Sequence, residues 1–260
     1  MVAGDGPAVV LIHAGICDSR MWEPQWAPFA RDHRTIRMDL RGFGRSELTP
    51  GRFAHARDVA NLLETLGVER AALVAASYGG QVAMELAVAR PDLVEALVLA
   101  GASLPEHDWS APVRAGFAEE EAAMERGDLD AAVEADLRLW VDGQGRPPEA
   151  VNPEVRERVR VMQRRAFELQ LPAHQDPDRY EEEELEPGWA DRLRTIWAPA
   201  LVLVGEHDVA DAHQLADRLA RELPRATVAT IAGAAHLPSM ERPADFNQRT
   251  LAFLAEHQIS

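Results

Sequence analysis

The sequence contains no lysine: all 27 of its basic residues are arginine. Chemistry that runs through a lysine Schiff base is therefore excluded. There is one cysteine, Cys17, so the chain can form neither an internal disulfide nor a thiolate metal site. No metal or cofactor site is expected. No apolar run reaches the roughly 18 residues that a spanning helix needs, and the opening Met-Val-Ala-Gly-Asp-Gly lacks the basic and apolar regions of a signal peptide. Basic clusters are missing too. With 43 acidic residues against 27 basic ones the net charge is −16, which disfavours nucleic acid and anionic membranes as partners. These absences lead to the expectation of a globular, cytoplasmic protein acting on a small molecule, and its 260 residues suffice to bury a large core.

What is present is an alternation of short apolar runs with helical patterns. Ala8 to His13, Thr35 to Asp39, Ala71 to Ala76, Leu93 to Ala100, Ala200 to Val204 and Ala226 to Ile231 read as strands. Between them lie helical stripes such as Val59, Leu62, Leu63 and Leu66, stopped by Gly67. Strand alternating with helix implies a parallel sheet covered on both faces, a three-layer α/β fold. The alternation breaks between residues 104 and 196, where only helical stripes are found: Val133, Leu137, Trp140 and Val141, then Val155, Val159, Met162 and Leu169. Asn152-Pro153 opens the second as an N-cap followed by proline at the first helical position. The chain thus divides into a first core part (1–103), an inserted helical cap (104–196) and a second core part (197–260). The acidic run Glu181 to Glu184 reads as a solvated face.

Chemistry concentrates at Val-Ala-Ala-Ser-Tyr-Gly-Gly, residues 74 to 80. A strand ends at Ser77 and a helix begins at once, so the serine stands at the apex of a sharp turn, with φ expected positive. The residues two before and two after it must be small, and Ala75 and Gly79 are. Such a turn holds the hydroxyl above the sheet, beside the Tyr78 amide and the positive end of the new helix.

This segment resembles the nucleophile elbow of the α/β-hydrolase superfamily, G-x-S-x-G, with Ala75 in place of the first glycine and Ala76 where many members carry His. The likeness extends over Pro7 to Ser103 and Trp197 to Leu254 and is nearest to small bacterial esterases and 3-oxoadipate enol-lactonase-like hydrolases. It implies a catalytic triad in the order Ser, acid, His, supplied by Ser77, Asp208 in Val-Gly-Glu-His-Asp, and His236 in Gly-Ala-Ala-His-Leu-Pro. Glu206, Asp211 and His207 are the rivals of Asp208 and His236. Some relatives place the acid after the strand at 93–100, where Glu106 is the nearest carboxylate. The resemblance also implies an oxyanion hole from the Gly15 and Tyr78 amides, with Ile16 as a less favoured donor, each donor contributing ~3–4 kcal/mol. Around it the expected pocket comprises His13, Ile16, Trp22, Trp140 and Leu237. His13 reads as a loop-shaping residue rather than a proton carrier, Trp22 as a pocket wall or core, and Trp140, Phe167 and Trp109 as the lining of an apolar pocket or the cement of the cap. Cys17 is a bystander near the mouth, and the Asp39 to Ser46 turn matches the superfamily's D-x-R-G-x-G-x-S, a structural element.

Members of this superfamily carry a β-hairpin before the first of these strands, whereas Val2 to Pro7 resembles the loop that follows that hairpin, so that either the hairpin is missing or the start codon is assigned too late. The expectation is a sheet of six parallel strands whose Thr35 to Asp39 edge is covered or paired with another chain, as in a homodimer. The implied activity is cleavage of a carboxylic ester or lactone through an acyl-enzyme. The same triad also serves carbon–carbon bond hydrolases, thioesterases and cofactor-free perhydrolases, and the fold serves non-catalytic ligand-binding proteins of biosynthetic pathways.

Overall fold

The computed structural model of the chain describes residues 1–143, 145–257 and 259. The strands among the described residues are β1 (Val2–Ala3), β2 (Ala8–Ile12), β3 (Arg34–Arg37), β4 (Gly51–Phe53), β5 (Ala71–Ala76), β6 (Val94–Ala100), β7 (Tyr180–Glu182), β8 (Ala200–Gly205) and β9 (Ala226–Ile231). Seven of them form one sheet in the order β1-β3-β2-β5-β6-β8-β9. Every residue of β2, β5 and β8 is buried, which is why these strands are written as unbroken apolar runs rather than as alternations. The six expected strands are all there and all parallel, in registers such as Val10 opposite Leu73, Val74 opposite Val98 and Val202 opposite Val228.

The strand count at the edge differs from the expected six parallel strands. Val2 and Ala3 pair antiparallel with Ile36 and Thr35, so the sheet has a seventh, antiparallel strand, and β3 is covered by the chain's own first residues. Two residues are too few to show any alternation, so the pairing has no signature in the sequence. At the opposite edge β9 remains half exposed, with Val228 at 42%.

The helices α1 (Glu23–Phe29), α2 (His55–Thr65), α3 (Tyr78–Ala89), α7 (Ala210–Glu222) and α9 (Pro243–Glu256) flank this sheet, α1 packing against α9 and α2 against α3. Trp22, Phe29 and Phe246 are among the largest wholly buried side chains on the α1 and α9 side. Gly67, with φ of 64°, ends the α2 segment where the apolar stripe stops.

Between β6 and β8 lie α4 (Ala111–Glu125), α5 (Leu129–Asp136), a π-helical turn (Leu137–Asp142) that continues α5, and α6 (Pro153–Gln175). As its sequence predicts, α6 is opened by Asn152, whose side chain accepts the Glu154 N–H at 2.9 Å. This segment is not purely helical. Tyr180–Glu182 forms β7 and pairs in parallel with β4, from Gly51 opposite Tyr180 to Phe53 opposite Glu182. A strand made of Tyr-Glu-Glu offers no apolar period, so pattern alone misses it. The acidic run stays largely exposed, as expected of a solvated face, and two of its carboxylates also form surface ion pairs with arginines of the first core part: Arg52 with Glu181 and Glu183, at 3.3 and 2.8 Å, and Arg57 with Glu183 at 2.8 Å. Among the described residues no helix is long and apolar enough to cross a membrane. A last short helix, α8 (Pro238–Glu241), follows the loop after β9.

Candidate active site

Ser77 occupies the turn between β5 and α3 with φ 50° and ψ −118°, a region that non-glycine residues rarely enter. The turn is held from both sides: the Ser77 N–H donates to the Ala100 carbonyl and the Gly80 N–H to the Ser77 carbonyl, each at 2.8 Å. A Cβ at Gly79 would stand 2.4 Å from the His13 carbonyl oxygen, so only glycine lets α3 begin this close to the end of β2.

Asp208 lies just after β8 and His236 in the loop after β9, so both reach the same rim of the sheet as Ser77. The Ser77 Oγ is 2.9 Å from His236 Nε2, and His236 Nδ1 is 2.9 and 3.0 Å from the two carboxylate oxygens of Asp208. Asp208 also accepts its neighbour Val209's N–H at 2.8 Å. Nearly all of the carboxylate and imidazole surface is removed from water, with 1% and 4% of these side chains exposed. Desolvation of this kind strengthens the charge interactions between them. The remaining lone pair of the imidazole therefore faces the serine hydroxyl, and Nδ1–H faces the carboxylate.

The rival residues stand outside this hydrogen-bonded line. Asp211 accepts the Ser110 N–H and hydroxyl at 2.7 and 2.6 Å and lies 3.2 Å from His107 Nε2, anchoring the start of α4. Glu206 accepts the Gly233 N–H at 2.8 Å, and His207 stands 3.9 Å from Glu206. Glu106 has a positive φ of 57° in the loop after β6.

Tyr78 is the first residue of α3, so its amide is one of the orphan donors of a helix start. Gly15 lies against it, because a Cβ built on Gly15 would touch the Tyr78 Cβ at 3.3 Å. The two amides named as oxyanion donors thus come from adjacent backbone beside Ser77.

A cavity of about 770 Å³ opens over the serine, lined by Ser77, His236 and Gly15 at one end. Ile16 and Trp140 line it as expected, whereas His13, Trp22 and Leu237 do not. His13 is wholly buried: its Nε2 accepts the Leu40 N–H and its Nδ1 donates to the Ala14 carbonyl, both at 2.9 Å, which ties two loops together. Burial also holds its pKa below the ordinary histidine range. Trp22 packs against Phe246 at 6.0 Å between ring centroids, and Leu237 is fully buried behind the His236 loop. Cys17 is likewise fully buried rather than near a mouth, and burial pushes its thiol pKa well up. The Asp39 turn acts structurally: Asp39 accepts the Ser19 and Arg45 amides at 2.8 and 3.1 Å, and Ser46 Oγ donates to its carbonyl at 2.9 Å.

The far walls of the cavity come from segments with no motif. Phe117, Glu120, Glu121 and Met124 follow the i, i+3, i+4, i+7 spacing and present one face of α4 to it. That spacing is readable in the sequence, but it does not say what the face meets. Trp109 and Phe117 stack edge-on at 5.6 Å, and Trp109 meets Trp140 at 6.0 Å. On the opposite side the Tyr78 hydroxyl donates to Glu182 of β7. Burial raises the pKa of both, and the carboxylate's charge raises that of the phenol further. His55, buried on the same wall, has its pKa lowered to about 4 by desolvation and is therefore neutral at pH 7. Arg41 is held by Asp58, at 2.5 and 2.9 Å. Among the described residues no three His, Cys, Asp or Glu side chains converge as a metal site would require.

Comparison with known proteins agrees with this geometry. Residues 7–243 match the family model of the alpha/beta hydrolase fold. Among curated proteins the chain is 26% identical, over 98% of its length and 82% of the relative's, to the uncharacterized carboxylesterase nap of Bacillus subtilis. Among solved structures, a thermophilic esterase from Thermogutta terrifontis superposes with a TM-score of 0.78 at 26% identity, covering 99% of this chain and 92% of the other. The enol-lactonase of Burkholderia xenovorans does so with a TM-score of 0.78 at 25% identity, covering 98% and 95%. With the family model spanning nearly its whole length and esterases and a lactonase as full-length relatives, the chain belongs to the alpha/beta hydrolase fold family and is an enzyme of that family.

Proposed function

We propose that the enzyme cleaves a carboxylic ester or lactone through an acyl-enzyme on Ser77. The observation that carries this reading is the unbroken hydrogen-bonded line from Ser77 Oγ through His236 to Asp208, opening into a cavity with aromatic walls. His236 Nε2 takes the hydroxyl proton as Oγ attacks the carbonyl carbon, and Asp208 stabilises the imidazolium that forms. The carbonyl oxygen, now negative, is met by the Gly15 and Tyr78 amides. The imidazolium returns the proton to the departing alkoxide, and water, deprotonated by the same imidazole, then hydrolyses the acyl-enzyme and restores Ser77.

In this reading residues 104–196 act as a cap: Trp109, Phe117 and Trp140 form the roof against which the apolar part of the substrate packs. The relatives support the ester and lactone classes, since they include an esterase and an enol-lactonase. A panel of p-nitrophenyl esters of increasing acyl length tests the reading. Turnover is expected for wild type and its loss, by a factor on the order of 10⁴ or more, for Ser77→Ala. Equal turnover by the two proteins on every ester would refute it.

A further inference from the structure

The cap segment reaches His236 through a connection that the triad itself does not require. After the π-helical turn, the Arg146 guanidinium folds back over that turn's carboxyl end: Nε donates to the Asp142 carbonyl at 2.8 Å and Nη2 to that of Val141 at 3.1 Å. Carbonyls at a helix end lack intrahelical partners, so Arg146 serves as their cap. The same guanidinium crosses to the loop after β9, donating to the Gly233 carbonyl at 3.3 Å and to Glu241 Oε2 at 2.9 Å. This ion pair is largely buried, with 12% of the arginine side chain and 6% of the glutamate exposed.

Glu241 in turn holds the backbone on either side of His236. Its Oε1 accepts the Ala235 N–H at 2.9 Å and the Leu237 N–H at 3.4 Å. Both residues are fully buried, so without the carboxylate these amides would lose their partner and their water together. Two more contacts converge on the same loop. The His236 N–H donates to the Trp140 carbonyl at 3.4 Å, and the Trp140 ring lies on the imidazole with centroids 4.4 Å apart. Gly143, at φ 75°, closes the approach: a Cβ there would stand 2.6 Å from the His207 carbonyl oxygen and 2.7 Å from the Ala235 Cβ.

We propose that Arg146 and Glu241 are positioning residues, a buried pair that clamps the His236 loop to the end of the π-helical turn so that the cap segment fixes the imidazole between Ser77 and Asp208. Neither side chain touches the reacting atoms. Their effect runs through the two amides flanking His236 and the two carbonyls beyond Trp140. The pair acts as one unit, because each side chain is aligned by the other as well as by backbone. This inference rests on the reading of Ser77 as nucleophile and His236 as base.

Steady-state hydrolysis of a p-nitrophenyl ester by Glu241→Gln, Arg146→Lys and the double variant tests it, at a temperature where circular dichroism shows the proteins folded. The clamp predicts a fall in kcat of roughly tenfold to a hundredfold with KM changed less than about twofold, since a small misplacement of a reacting group costs rate rather than binding. It also predicts that the double variant is no slower than the worse single one. A lowered Tm with kcat unchanged would make the pair merely structural and overturn the proposal. If Glu241→Gln does not fold, Arg146→Lys decides by the same criterion. Ser77→Ala, run alongside, separates the two levels: turnover surviving in it removes the underlying reading, whereas turnover lost in it but unaffected by the clamp variants removes only the clamp.

Discussion

The Trp140 indole covers one face of the His236 imidazole, with ring centroids 4.4 Å apart and planes inclined at 37°. Trp140 sits in a π-helical turn, a geometry that adds a residue to the helical repeat and re-aims the side chains it carries. The base of the proposed reaction is therefore packed between its carboxylate and an aromatic roof.

Trp140→Leu keeps an apolar side chain but removes the flat face. With 8% of the residue exposed, the lost packing is expected to destabilise the fold by about 1–3 kcal/mol. A loss of kcat/KM on the order of tenfold should accompany it, because the imidazole gains rotational freedom. Chemical denaturation and steady-state kinetics measure the two effects separately, and unchanged kinetics in the folded variant would contradict the packing role.

Gly101, with φ 56°, follows β6 and faces the same ring: a Cβ there would lie 3.1 Å from both Cε1 and Nδ1 of His236. Gly101→Ala should therefore strain the backbone and press the imidazole away from Asp208. The expected outcome is a fall in kcat of tenfold or more, on the order of what misalignment of a catalytic group costs. Wild-type kcat would show that the ring can yield without loss.

Glu85, in α3, accepts the backbone N–H groups of Leu185 and Glu186, yet burial raises its pKa from 4.5 to about 7. A carboxyl pKa raised in the folded state means that folding favours the protonated form. Its stabilising contribution is complete below pH 4.5 and is lost as the pH rises through about 7. Glu85→Gln, which imitates the protonated acid, should melt close to wild type at pH 5 and above it at pH 8. Melting curves at the two pH values check this, and the same Tm difference at both would contradict it.

How much of this was readable in advance depends on the range of the forces involved. The elbow is legible because its demands are local: a strained Ser77 tolerates only small neighbours at positions 75 and 79, and those residues are printed side by side. Asp208 is legible because it follows an apolar strand that ends in Gly205, and His236 because Gly-Ala-Ala-His-Leu-Pro stands after the last strand, where the resembling superfamily keeps its base. The cavity wall is a different matter. Trp22 and Trp140 look alike in sequence, but one fills the core beside Phe246 while the other roofs the serine. That choice is made by how α1, α5 and the π-helical turn pack, which is a property of distant segments. Pairings of two or three residues, β1 with β3 and β7 with β4, leave no period to detect. His13 illustrates a further limit: its partners, the Leu40 amide and the Ala14 carbonyl, are visible only once the loops are folded.

The central claim is that Ser77 is the activated nucleophile, and reaction with a fluorophosphonate probe followed by intact-mass and peptide mapping tests it most directly. The account predicts one covalent adduct per chain, located on Ser77, absent from Ser77→Ala and formed far more slowly in His236→Ala. An adduct on another residue, or labelling of Ser77→Ala at the wild-type rate, would contradict it.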